Sequence, residues 1–189
     1  AEDVDARAIF AGVELVQHED AVRVIDADLV DIVATGCDEM QCAIARRVNL
    51  PASIAAAIAE VGSAAAALEL IENPYAGLAP FSWDRIVERH GHLAAIRESM
   101  LALEDLPSAT RLALVAKLSD TLAQFVVARN WLGADRADRI AGEAKERSTV
   151  NIAARAFGDD MQNLITHLRA TGQLTAGLIL RALLSGNLD

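Results

Sequence analysis

Few side chains in this chain could begin a chemical reaction. The only close histidine pair is His90-Gly91-His92. Two histidines one residue apart chelate a metal when they lie on a strand, where alternate side chains share a face. Here Gly91 reads as a helix stop, so the imidazoles diverge, and no cysteine or third histidine lies nearby in sequence. His18 and His167 stand alone and read as surface or satisfied groups. Cys37 and Cys42 are the only cysteines, and their spacing is not that of a redox or zinc pair. On a helix, five positions leave the two thiols about 140° apart. Both are expected to be buried, reduced, small apolar residues. Carboxylate pairs are plentiful: Glu19-Asp20, Asp38-Glu39, Glu104-Asp105 and Asp159-Asp160. Each falls at an expected helix start or joint, where capping and the helix dipole explain it without catalysis. A general acid would also need burial and a raised pKa. The sequence holds no Gly-x-Gly-x-x-Gly, no phosphate-binding P-loop and no Gly-x-Ser-x-Gly elbow. The expectation is a non-enzyme with no catalytic residue, no metal ligand and no cofactor.

Composition narrows the classes further. The 189 residues are 53% apolar, 23% charged and only 4% aromatic, with a net charge of −10. That is one domain's worth of chain, with apolar content enough for a core and too few aromatics for a β-sandwich or a base-stacking surface. Residues 1–40 hold 11 acids and two arginines, whereas residues 41–189 hold 16 acids and 15 bases. This N-terminal acidity reads as a solvated face of ordinary helices, with repulsion of nucleic acid and anionic membranes or attraction of a basic partner as the alternative. Ala1-Glu2-Asp3-Val4-Asp5 has neither the basic start nor the apolar run of a signal peptide, which points to a cytoplasmic protein. The longest apolar stretch, Ala170–Leu188, is interrupted by Arg181 and several small or polar residues. It reads as a buried terminal helix rather than a membrane span.

Helical periodicity dominates the chain. Asp26 suits an N-cap for a helix over Ala27–Thr35, closed by Gly36. Asp38-Glu39-Met40-Gln41 has the spacing of a capping box, and the helix it opens ends in Arg46-Arg47. Pro51 begins a helix that Gly62 ends, and Ala64–Glu72 follows, up to Asn73-Pro74. Ser82 is expected to cap Trp83–His90. His92–Leu103, Ser108–Leu118 and Ser119–Trp131 come next as three further helices. The joints Asn49-Leu50-Pro51, Asn73-Pro74 and Asp105-Leu106-Pro107 recur 24 and 32 residues apart, which suggests a degenerate two-helix repeat. Beyond Ser119 the joints stop repeating: a long charged helix over Asp135–Phe157, then Met161–Ala170 and Ala176–Leu184, capped by Gly158-Asp159-Asp160 and Thr175. The fold expected is all-α: a short α-solenoid of degenerate HEAT-like helix pairs over residues 1–118, followed by a helical C-terminal cap over residues 119–189.

Several of these segments resemble the alphaproteobacterial proteins grouped as domain of unknown function 2336. They are Ala27-Asp28-Leu29-Val30-Asp31-Ile32-Val33-Ala34-Thr35-Gly36, Ala43-Ile44-Ala45-Arg46-Arg47 with Asn49-Leu50-Pro51, and Leu70-Ile71-Glu72-Asn73-Pro74. Gly172-Gln173-Leu174-Thr175, running to Leu180-Arg181-Ala182-Leu183, is similar to that family's C-terminal signature. The resemblance runs from Val24 to Asp189. It implies HEAT-like or leucine-rich-variant-like helical repeats and no known activity. It also implies a trimmed domain, since such proteins extend further at both ends.

The function expected from these residues is protein or peptide binding on a concave helical surface. Arg46, Arg47, Arg85 and Arg89, near helix ends, are the candidate interaction residues. The interleaved charges of Asp135–Arg147 read as a solvated face, or else as a docking face for a partner helix. Trp83, Trp131 and Tyr75 read as core or inter-repeat packing, with interface anchors as the alternative. No nucleic-acid or membrane partner is expected. The Ala-rich helices leave packing within one chain or across a homodimer open. The competing readings are a small-molecule sensor and a HEAT-like protein acting on nucleic-acid bases.

Overall fold

The structure is a computed structural model that describes residues 27–185. Among these residues there are ten helices and no strand. The chain divides into two compact units between Ser82 and Trp83, in the first turn of one helix.

The first unit contains α1 (residues 27–35), α2 (Asp38–Ala45), α3 (Ala52–Val61) and α4 (Ala64–Glu72). Its core is built from alanine and branched aliphatic side chains: Ile54, Ala55, Ile58 and Ala59 of α3 with Ala66, Ala67, Leu70 and Ile71 of α4. Alanine at the seam lets helix axes approach closely, so short helices still bury a continuous face. α2 packs most extensively on α4. Gly62 ends α3 for a steric reason. A Cβ there would stand 2.5 Å from the Ile58 carbonyl oxygen, closer than any side chain tolerates.

The expected capping box at Asp38 is not formed. Cys37 occupies the N-cap with no side-chain cap, and Asp38 lies in the first turn. Gln41 is buried and does something else. Its Nε2 donates to the Val33 carbonyl at 2.7 Å, and its Oε1 accepts the Ser63 N–H at 2.8 Å. One amide thus satisfies a helix-end carbonyl of α1 and the N-cap amide of α4. The joint residue Asn73 works similarly. Its Nδ2 donates to the carbonyls of Ala45 (2.7 Å) and Arg47 (2.9 Å), tying the end of α4 to the end of α2.

The second unit holds most of α5 (Pro80–His90), then α6 (Ala94–Leu101), α7 (Ser108–Ala128), α8 (Ala134–Ala153), α9 (Gly158–Ala170) and α10 (Ala176–Leu184). Leu112, Val150, Ala156, Leu164, Leu168 and Leu178 form one core, flanked by Met161 and Leu174. α7 packs most extensively on α8 and also contacts α9, and α8 meets α10. Two expectations are corrected here. Ser82 is not a cap but a buried residue inside α5, which starts at Pro80. The two helices expected on either side of position 118 are one 21-residue helix, α7, because nothing between Ser108 and Ala128 breaks it. The position expected to divide repeats from cap therefore lies mid-helix.

A long-range polar contact caps the start of α7, and a local turn closes its end. Its N-cap, Pro107, offers no side chain, and Asp160 from α9 substitutes. Asp160 accepts the Ser108 N–H (3.0 Å) and the Ser108 hydroxyl (2.6 Å), placing a carboxylate at the positive end of the helix dipole. Arg111 donates to the carbonyls of Leu103, Glu104 and Leu106 and holds the preceding joint. At the other end, Asn130 takes a left-handed conformation (φ 57°). The Asn130 N–H reaches Val127 O at 2.9 Å and the Trp131 N–H reaches Val126 O at 3.0 Å, a Schellman closure.

Candidate interaction surface

The expected interaction arginines lie two in each unit. Arg46, at the end of α2, makes a two-point ion pair with Glu69 of α4, its Nε donating to Oε2 at 2.7 Å and its Nη2 to Oε1. The hydrogen bond from Arg46 holds the Glu69 carboxyl below the usual carboxylate range, and the same bond raises the guanidinium's pKa. Arg47 is exposed. Arg85 pairs with Glu88 at 2.5 Å, one turn along α5. Arg89, in the last turn of α5, is half-buried. Arg46 and Arg85 are thus committed to carboxylates of their own unit.

The other residues singled out by chemistry are also placed. Cys37 is exposed, not buried as expected, and Cys42 is half-buried, its thiol pKa raised chiefly by desolvation. His90 ends α5, His92 lies in the joint after it, and His167 is on α9. Asp38-Glu39 and Asp159-Asp160 occupy the first turns of α2 and α9, and Glu104-Asp105 the joint before Pro107. His18 and Glu19-Asp20 lie outside the described residues, as does Asp26. Among the described residues, no three histidine, cysteine or carboxylate side chains gather as metal ligands, and no helix is long and apolar enough to cross a membrane. The apolar C-terminal stretch forms the short α10. Of its residues only Leu178 is buried, which corrects the expectation of a buried helix.

Two of the cavities in the second unit involve both α8 and α9. One, of about 810 Å³, is a polar cleft among Glu104, Arg111, Ser148, Asn151, Arg155 and Asp160. Arg111 and Asp160 are already spent on the ends of α6 and α7. The other, of about 200 Å³, is apolar, lined by Val150, Met161, Leu164, Leu168, Leu178 and neighbours.

The most developed surface feature is the antiparallel α7–α8 hairpin. Where it joins the rest of the unit, Leu112, Leu114, Thr149 and Val150 are buried. Further out, only Ala137 and Ala141 of α8 are. One edge is closed by Lys145 donating to Asp120 across the pair at 2.5 Å. The other edge is open and apolar: Leu122 is 53%, Phe125 45%, Trp131 65% and Ile140 51% exposed. The Schellman turn folds Trp131 back onto Phe125, ring centroids 5.6 Å apart and planes at 88°, and the Arg129 guanidinium stands 5.1 Å above the Phe125 ring. Trp131 and Tyr75 are therefore exposed, not core as expected, while Trp83 is half-buried. The signal for this surface was present in the sequence. Val115, Leu118, Leu122 and Phe125 alternate at spacings of three and four, but a helix boundary at 118 divides that stripe and hides it.

The sequence matches the model of family DUF2336, described as an uncharacterised protein conserved in bacteria, over residues 19–189. No curated protein and no solved structure matches it.

Proposed function

The chain belongs to the DUF2336 family, and we propose that it works as a non-enzymatic protein-interaction or regulatory scaffold module, with the open edge of the α7–α8 hairpin as its principal contact surface. The observation that carries this reading is the exposure of Leu122, Phe125, Trp131 and Ile140 on one hairpin, with Trp131 packed on Phe125. Exposed aromatic side chains grouped with an arginine are the composition of interface centres. In this reading the helix pairs of the first unit serve as degenerate HEAT-like repeats, and Asn73, which links the ends of α4 and α2, supports such stacking. Arg47 and Arg89 remain candidate interaction residues of their own units. Arg46 and Arg85, held by Glu69 and Glu88, stiffen the frame. The free thiols of Cys37 and Cys42 support a cytoplasmic setting.

The test is affinity capture from lysate with nuclease present, comparing the wild-type chain with Phe125→Glu. A protein retained by the wild type and lost with the variant is the expected result. Equal retention by both overturns the hairpin as the contact surface, and capture that disappears with nuclease overturns the protein-binding reading. A second reading, small-molecule sensing, is favoured by the apolar 200 Å³ cavity beside α10. A hydrophobic ligand there would raise the melting temperature with concentration.

A further inference from the structure

Resting on the reading of the hairpin edge as an interaction surface, the next question is what covers it. Val115, Leu118, Leu122, Phe125 and Arg129 follow the 3-4 spacing of a helix-to-helix seam. That seam is not the one α7 offers to α8. α8 presents Ala137 and Ala141 to α7, and the Asp120–Lys145 pair marks one side of that contact. At about 100° per residue, Leu122 and Phe125 of α7 and Ile140 of α8 fall on the opposite side of the hairpin from that ion pair. Val115 and Leu118 line a groove with Ala94, Arg97 and Leu101 of α6, so the uncovered part of this edge is Leu122, Phe125 and Ile140.

Charge selects the occupant. Residues 1–82 hold 14 acidic and four basic side chains, whereas residues 83–189 hold 13 of each. The whole net charge of −10 therefore belongs to the first unit, and the second is neutral. Within the hairpin, residues 119–147 carry five acids and five bases. A partner chosen by opposite charge finds no net charge on this hairpin. A neutral, mixed-charge surface is the place where two copies of an acidic chain meet with least repulsion. Area agrees. At their exposures Trp131 and Phe125 leave roughly 250 Å² of aromatic surface per copy, about a third of the ~800 Å² each partner contributes to a standard interface. Leu122, Ile140 and the stems of the flanking charged residues extend it.

We propose that the occupant is a second copy of this chain, the two hairpins closing edge to edge about a two-fold axis into a four-helix bundle. The contact is isologous, so Phe125 and Ile140 of each copy lie at or beside the same edge of the other.

Sedimentation equilibrium of the full chain, up to about 100 µM and at low and high salt, tests this. The expected result is a mass approaching twice 20.1 kDa, with dissociation little changed by salt because the meeting surfaces are neutral. Phe125→Glu and, on the other helix, Ile140→Glu should each raise the dissociation constant by about 100-fold or more, since each buries charge in the closed edge. Phe157→Glu, at a residue 79% exposed outside the hairpin, should leave it unchanged. A monomer across the whole range overturns the proposal whatever the variants do. So does a dimer that both hairpin variants leave intact, and so does dissociation that Phe157→Glu matches. The wider reading fails separately. If the chain is monomeric and Phe125→Glu still abolishes capture of a protein, the edge is an interaction surface with a different occupant. If it is monomeric and capture is unaffected, both fall.

Discussion

The two units solve the problem of short helices differently. The first buries alanine and isoleucine faces and stitches helix ends together with single amides, Gln41 and Asn73. It also carries all of the chain's net charge. The second has balanced charge, a leucine-centred core, and a long hairpin that reaches beyond that core. Both units leave apolar side chains exposed, Val48, Tyr75 and Phe81 in the first and Leu122, Phe125 and Trp131 in the second, and the second packs two of its rings together on one hairpin.

That contrast can be tested from its strongest point downward. Leu164 is fully buried at the centre of the second core. Leu164→Ala should cost about 2–5 kcal/mol in denaturant unfolding, and a cost near zero would mean this core does not hold the unit. Gln41→Leu keeps the volume but strands the Val33 carbonyl and the Ser63 amide. We expect a loss of about 1–3 kcal/mol, in contrast with changes of about half a kcal/mol at exposed positions. Asp160→Ala removes the borrowed cap of α7 and should cost about 1 kcal/mol, while Asp159→Ala, with no such contact in the structure, serves as the comparison. The smallest effect is the pH dependence of the Arg46–Glu69 pair. Glu69's folded pKa lies below its unfolded value near 4.5, so its contribution is present above that pH and is lost as pH falls through the folded value. Glu69→Gln should flatten this part of the acid-unfolding profile. An unchanged profile would show that the exposed pair adds nothing to the first unit.

Much of the fold was legible because helix starts and stops are local chemistry. Gly36, Gly62 and Thr175 act where their residue types predict, and α4 spans Ala64–Glu72 as expected. Misreadings arose where a local rule competed with a distant partner. Asp38 has the type and spacing of a cap, but Gln41 is drawn instead to Val33 and Ser63. Ser119 looks like a helix start, yet tertiary packing carries α7 straight through it. Cys37 is apolar enough for a core but sits at an exposed helix entrance. The hairpin edge was hardest to read. A seam's spacing shows that a helix face is apolar, and only the packed neighbours show whether anything in the same chain covers it.

The cap that Asp160 lends to Ser108 joins residues 52 apart in sequence. α7 and α8, by contrast, are joined by a short loop and can zip together from their shared turn. Local contacts close at lower entropic cost than distant ones, so the expected order is the hairpin first and the start of α7 last, when α9 docks. Removing the Asp160 carboxylate should therefore leave the refolding rate nearly unchanged and appear almost entirely as faster unfolding, a φ-value near zero at the first residue of the unit's longest helix.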